Sequence, residues 1–559
     1  MKNYPWYPTV YYNTFRDFIA GLATFGEKPA ICQYDENGVE HVRTYRELCD
    51  DVARIRRSLA ARGLAESRIA IAGENSYEWI VLFLATVSGG GVAICVDIDQ
   101  ADGTVCQLIR QADANVIFAS ESMLPICARL LQDGGSRVQH IFGLRADQAS
   151  SAPDGGYYEL SAEGAVLGEP PLPELSPDRP AAIVFTSGTT ATAKAVKLTH
   201  RNMLQNAGAA VATVDLGQTI FTGLPFYHAY GLNCGVFCSL LKCARLTING
   251  NLRTMMRDMA LSQSRTIITV PLMLEAIYNA TWSRIRRDGR EASVNSLLKR
   301  YFALKKVGIQ YAQAERMKLR DAYFGSMRVI VCGGAHMNTE LSKRFEALGI
   351  LVLQGYGITE CSPLIAVNRN DFWCFDSVGT PLPGFEVKLE QGEILVRGPS
   401  VMAGYYNDPE ATALNVVDGW FKTGDLGEIG SEGQLYIIGR SKNLIVLKNG
   451  KKISPEKIEQ LVQEIPIVKE TMVYGAISGT AADDVKPAVS IYPDPELTAG
   501  MEPYEILAAL QREVDRINEN LPSYQQLQMI NIREKEFAKT SSQKPKRFEA
   551  ENRTASAVK

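Results

Sequence analysis

The chain has 559 residues, a formal net charge of −3 and a pI near 6.1, which is length enough for roughly three to four domain-sized units. That charge balance offers no basic field to nucleic acid or to an anionic membrane. The 11 cysteines form no CxxC pair and no His/Cys cluster at metal spacing, which argues against a cysteine-held metal and for a reducing, cytoplasmic setting.

The opening MKNYPWYPTVYYNTF lacks the basic and apolar regions of a signal peptide. Residues 44–62 predict an amphipathic helix, with Thr44 and Glu47 as a capping box and Gly63 closing it. RIAIAG (68–73) reads as the strand that follows. Trp79 to Val96 is the most hydrophobic stretch, but Ser88 and the glycines 89–91 break it. It predicts a buried helix entering a buried strand, not a membrane span. Peripheral contact with a bilayer remains compatible with this pattern.

Helix–strand alternation then recurs through strands at 114–120, 181–187, 245–250, 265–270, 328–334 and 350–357, with a helix at 200–213. Repeated βα units predict largely parallel sheets covered by helices. Residues 150–180, rich in Gly, Pro, Ser and Glu, read as a polar linker. Cys234, Cys238 and Cys243 lie among Val, Phe and Leu and read as small buried apolar residues. After Gly439 short strands alternate with two amphipathic helices, 454–465 and 503–521, and Ser454 before Pro455 forms a helix start. The fold class is α/β: a large N-terminal domain of parallel βα sheets (1–440) with a small mobile C-terminal α+β lid domain (441–559).

One loop carries the first chemical signal. Ile183, Val184 and Phe185 lead into Thr186, Ser187, Gly188, Thr189, Thr190 and Ala191, with Lys194 just beyond. Small residues let backbone N–H groups approach phosphate oxygens, hydroxyls add donors, and the lysine adds charge. It is not a GxxxxGK[ST] loop. Taken alone, a solvated Ser/Thr loop has the same composition.

QGYGITECSP (354–363) and WFKTGDLGEIGSEGQLYIIGR (420–440) decide between these readings, because both resemble signatures of the adenylate-forming enzymes. LPFYHAYG (224–231), CGGAHM (332–337), SKNLIVLKNGKKISPEKIE (441–459) and KTSSQKPKR (539–547) resemble that superfamily's further motifs, in its order. The resemblance spans essentially the whole chain and includes acyl-CoA synthetases of the fatty acid type.

The resemblance implies ATP, Mg²⁺ and coenzyme A as cofactors and co-substrates. Ser187, Gly188, Thr189, Thr190 and Lys194 would hold phosphates. Glu360, with Thr186, would hold Mg²⁺, a cation that prefers few carboxylates plus waters. Tyr356 would stack on adenine beside Gly333, Gly334 and Ala335, within a nucleotide site completed by Gly355, Gly357, Thr359 and Ile437. Asp425 would accept from both ribose hydroxyls, with Arg440 as an added donor. Lys544 would oppose the charge that develops on the α-phosphate. His228 would stand at the mouth of an acyl pocket. Lys442 would be the hinge, and Gly450 would border the path of pantetheine, although Asn449-Gly450 is also an ordinary hairpin turn.

The chain departs from the family pattern at two places. Ala191, Ala193 and Ala195 stand where Gly, Pro and Gly are usual, so altered loop mobility or ATP affinity is expected. Gln543 and Pro545 flank Lys544 where Gly and Ile or Val are usual. Residues 226–238 contain no acid to meet an amino acid's ammonium, and TVPLMLEAIYNATWSRI (269–285) resembles the long-chain fatty acid ligases. The expected activity is therefore that of an acyl-CoA ligase acting on a carboxylic acid, of the fatty acid class. The alternatives are transfer to the phosphopantetheine of an acyl carrier protein and, more remotely, a non-catalytic nucleotide-binding protein.

Overall fold

The computed structural model describes residues 6–145, 152–186, 193–335, 337–477, 485–539 and 547. Among these, the strands from 29–34 to 380–381, joined by Gly404–Tyr405, assemble into a nine-stranded and a seven-stranded sheet. The seven-stranded sheet is parallel through Val92–Cys95, Arg68–Ala72, Val116–Ala119 and His140–Gly143, and the strand Pro180–Phe185 joins it in parallel beside Val92–Cys95. In the nine-stranded sheet Thr219–Thr222, Thr266–Thr269, Val329–Cys332 and Leu351–Gly357 run parallel at its centre. Antiparallel strands complete its edges.

The helices form where the periodicity predicts. Tyr45–Ala61 carries the Thr44–Glu47 capping box, an arrangement that stabilises a helix by about 1 kcal/mol. Tyr77–Gly89 is buried almost all round and stops at Gly90 before Val92–Cys95. Its Trp79 and Phe83 stack, and Phe83 packs with Phe15 and Phe237 in the main core. No helix of the described residues is long and apolar enough to cross a membrane.

Two features depart from the sequence reading. The stretch 150–180 is not simply a linker. It contains the helix Tyr157–Val166, started by Glu159 accepting from the Gly156 N–H and held to Tyr45–Ala61 through Ser58 and Glu163. Residues 386–440 build a five-stranded antiparallel sheet that the βα pattern did not announce.

Residues from Ile445 to Ile532 surround an apolar core of their own, centred on Ile458, Val462, Val489, Leu510 and Val514. Helices Pro455–Gln463 and Pro503–Glu519 cover a sheet of Val468–Ile477, Val485–Pro493 and Met529–Ile532. Ser454 stands at the helix start, yet its hydroxyl donates to the Ile438 carbonyl at 2.8 Å instead of capping the helix.

Candidate active site

The central strands of the large sheets deliver the site residues at their carboxyl ends, where open α/β sheets bind ligands. Pro180–Phe185 ends at Thr186. The Thr186 N–H donates to the Lys194 carbonyl at 3.0 Å, and the Lys194 N–H donates back to Thr186 Oγ1 at 3.1 Å. These bonds close the neck of the loop, while Ser187, Gly188, Thr189, Thr190 and Ala191 lie outside the described residues. Ala195 pairs with Phe185 inside a strand, and neither it nor Ala193 has a positive φ. The strain expected of alanine in this loop is therefore absent at these two positions.

Past the neck, Lys194 Nζ sits 4.5 Å from the centre of the Tyr405 ring, a cation–π contact. Tyr405 Oη donates to Glu360 Oε1 at 2.8 Å. Burial, reinforced by the Glu360 carboxylate, pushes the Tyr405 phenol well above its ordinary value, so it stays a donor. Lys194, Tyr405 and Glu360 thus form one chain of contacts. Tyr405 was missed from sequence, although its run GYYND (404–408) supplies the short strand Gly404–Tyr405 that pairs with Ala195–Thr199. Glu360 is carried on the short turn Thr359–Cys361, and its carbonyl accepts from the Met402 N–H at 2.8 Å.

The strand Leu351–Gly357 ends in Gly355, Tyr356 and Gly357. A Cβ on Gly357 would fall 2.2 Å from the Pro363 carbonyl oxygen, so only glycine allows this turn to close. Tyr356 Oη donates to Asp425 Oδ2 at 2.6 Å, and Arg440 Nε lies 2.8 Å from Asp425 Oδ1. Asp425 is 3% exposed and lies directly opposite Arg440 in the antiparallel pair. Its position is fixed further by its own N–H donating to Thr423 Oγ1 at 3.1 Å. Burial and then the Asp425 charge hold the Tyr356 phenol far above its ordinary value. Burial, followed by the Arg440 charge, lowers the pKa of nearby Lys442.

Gly333, Gly334 and Ala335 follow the strand Val329–Cys332, and the Gly333 N–H donates to the Thr269 carbonyl at 3.2 Å. Ile437 lies half-buried against the main core. His228 is half-buried and meets Tyr227 edge-on, with ring centres 4.7 Å apart. Beneath Gly333 lies an apolar cavity with about 590 Å³ of non-atom space, part of it open to solvent. Tyr230, Ile268, Val331, Ala210, Val214 and Leu216 are among its lining residues. Tyr230 begins the π-helix Tyr230–Phe237, and its hydroxyl lies 3.2 Å from the carbonyl oxygens of both Thr269 and Val331, with one hydrogen to share between them. Sequence reasoning did not single it out.

Gly450, at φ +77°, turns the hairpin between Ile445–Val446 and Lys452–Ile453, and its N–H donates to the Leu447 carbonyl at 2.8 Å. Lys544 lies outside the described residues. Arg547, three positions on, forms a half-buried ion pair with Glu459.

The AMP-binding enzyme family matches residues 20–406, and the AMP-binding enzyme C-terminal domain matches residues 442–559. The long-chain-fatty-acid–CoA ligase FadD15 of Mycobacterium bovis is 27% identical over 477 residues, covering 78% of this chain and 74% of its own. The long-chain-fatty-acid–CoA ligase of Escherichia coli O157:H7 is 26% identical over 536 residues, covering 88% of each. Among solved structures, ATP-bound MatB from Rhodopseudomonas palustris superposes with a TM-score of 0.74 at 24% identity, covering 96% of this chain and 97% of MatB.

Proposed function

This chain belongs to the AMP-binding enzyme family, and from that premise we propose that it is an ATP- and Mg²⁺-dependent acid–thiol ligase acting on a fatty acid. A carboxylate oxygen attacks the α-phosphorus of ATP and pyrophosphate leaves. The thiol of coenzyme A then attacks the acyl carbon, AMP leaves, and the thiol proton passes to solvent. The observation that carries this reading is Asp425, a buried carboxylate fixed by Tyr356 and Arg440 at the edge of the cleft. An ionised carboxylate has about four acceptor sites. With two engaged, Asp425 retains capacity for the two ribose hydroxyls.

Lys194 and the 187–190 segment bind the β- and γ-phosphates. Glu360, with one oxygen fixed by Tyr405, and Thr186 would hold Mg²⁺, a cation that prefers few carboxylates plus waters. Among the described residues there is no cluster of three or more His, Cys, Asp or Glu that would form a dedicated metal cage. When bound, the cation neutralises charge on the departing pyrophosphate. Lys544 opposes the charge developing at the α-phosphate. Tyr356, Gly333, Gly334 and Ala335 border the adenine, and His228 stands where the acid meets the nucleotide.

We place the boundary between the large domain and the lid after Arg440, with Lys442 as the pivot. Rotation after adenylation withdraws Lys544 and brings the 447–453 hairpin, with Gly450 at its tip, to the thiol's path, a hinge motion that uses one site twice. The names of the Mycobacterium bovis and Escherichia coli relatives support the fatty acid class.

The test is carboxylate-dependent pyrophosphate release from ATP and Mg²⁺ across fatty, aryl and amino acids, with and without coenzyme A. Release with a fatty acid and thioester with coenzyme A is the expected result. Release without transfer to coenzyme A would move the acceptor to a carrier protein's phosphopantetheine. A lack of release with every acid would overturn the reading.

A further inference from the structure

Ser454 occupies the N-cap of the helix Pro455–Gln463 with an extended backbone, φ −80° and ψ 113°. That conformation lets a serine hydroxyl accept from N–H groups of the first turn. Ser454 makes no such bond. A serine hydroxyl has one hydrogen to give and lone pairs to accept with. Here the hydrogen goes to the Ile438 carbonyl at 2.8 Å. A serine cap and an ordinary hydrogen bond stabilise by similar amounts. The two uses of this hydroxyl therefore lie close in free energy.

The bond also sits where a turn of the lid must break it. Ile438 precedes Lys442 and Ser454 follows it, so rotation about Lys442 moves one past the other. Gly439 is buried against the same helix start, and a Cβ there would fall 2.3 Å from Ser454 Oγ and 2.6 Å from Glu456 Oε2. Glu456 Oε2 lies 3.1 Å from Ser454 Oγ, and Glu456 Oε1 accepts from Asn443 Nδ2 at 2.6 Å. The first turn of this helix thus clasps the chain on both sides of Lys442. An ion pair also crosses here, Lys457 with Glu428 at 3.9 Å, but its side chains are 56% and 69% exposed. Such a pair contributes little.

Resting on the lid rotation read above, we propose that Ser454 is a positioning residue that sets the lid's orientation by exchanging one hydrogen-bond partner for another. In the orientation described here its hydroxyl donates to Ile438 and the helix goes without a side-chain cap. When the lid turns, that bond breaks and the same oxygen accepts from the Lys457 N–H. One bond offsets the other, so both orientations are populated before any ligand selects between them.

The experiment places two fluorophores, through noncanonical amino acids, at Leu414 on the large domain and Tyr504 on the lid, positions 73% and 70% exposed. Single-molecule energy transfer in the full chain, without ATP, then reads the share of the orientation described here. Ser454→Asp keeps a helix cap but has no hydrogen for Ile438, so that share should fall by roughly fivefold relative to the other, the value of one hydrogen bond. Ser454→Ala removes both bonds, so the ratio should stay within about twofold of wild type. Gly439→Ala leaves Ser454 in place and crowds the helix start, and it should shift the ratio in the same direction as Ser454→Asp. An unchanged distribution in Ser454→Asp, or an equal shift in Ser454→Ala, would overturn the exchange. The readout needs no turnover. A shift in Ser454→Asp alone of the two serine variants supports the exchange even in a chain that releases no pyrophosphate, where the ligase reading fails by itself.

Discussion

Tyr356 and Asp425 are joined by a 2.6 Å hydrogen bond across the seam between the nine-stranded mixed sheet and the five-stranded antiparallel one. The base-side and sugar-side candidates are thus one unit before any nucleotide arrives. Such preorganisation reduces what must be ordered on binding.

Replacing Asp425 with Ala should weaken ATP binding by roughly one to two orders of magnitude, because hydrogen bonds to a charged group contribute about 1.5–3 kcal/mol. The KM for the acid should change far less. ATP affinity equal to wild type, measured by titration, would remove Asp425 from the ribose role.

Tyr405→Phe keeps the ring beneath Lys194 and removes the bond to Glu360. The Mg²⁺ concentration for half-maximal activity should rise by roughly tenfold or more, the lower end of the value of one hydrogen bond to a charged group. A Mg²⁺ titration that superposes on wild type would separate Glu360 from the cation.

Lys544→Ala should reduce acyl-adenylate formation by about three orders of magnitude, the scale of losing a group that stabilises the transition state electrostatically. Thioester formation from preformed acyl-adenylate should remain near wild type. Equal loss in both half-reactions would contradict the lid rotation.

His200 gives a pH prediction for stability. It is fully buried, its Nδ1 accepts from the Phe15 N–H at 3.2 Å, and burial lowers its pKa from 6.5 to about 4. The unfolded chain takes up the proton first, so the stabilising effect is complete above about pH 6.5 and is lost as pH falls towards about 4. The loss attributable to this residue is roughly 3 kcal/mol. Denaturant midpoints measured across this window should fall more steeply in wild type than in His200→Gln. Parallel curves would assign the slope to other groups.

Much of this was legible in the residues. Capping at Thr44, the interruption at 88–91 and the strand-to-loop transition at 185–186 are local signals, read within one turn or one pleat. The six motifs were read in order, and the structure joins Tyr356, Asp425 and Arg440 in one cluster and Glu360 with Tyr405 and Lys194 in another. Tyr405 and the helix Tyr157–Val166 escaped because their partners are remote. Tyr405 depends on pairing with residues two hundred positions earlier, and that helix is held by Ser58 on an element far back in the chain. The antiparallel sheet of 386–440 was hidden for a similar reason. Glycines at 424 and 427 interrupt the alternation of Trp420–Ile429, whose strand identity comes from its neighbours.

Arg440 grips Asp425 and, two residues later, Lys442 opens the path to the small C-terminal core. Ser454, at the start of that core's first helix, reaches back to the Ile438 carbonyl on the same strand. On the reading proposed above, the strand that would touch the sugar is also the axle on which the second unit is mounted. Torque on that axle would be delivered at the nucleotide itself, so the mechanical state of the lid and the grip on AMP would change together without an intervening relay.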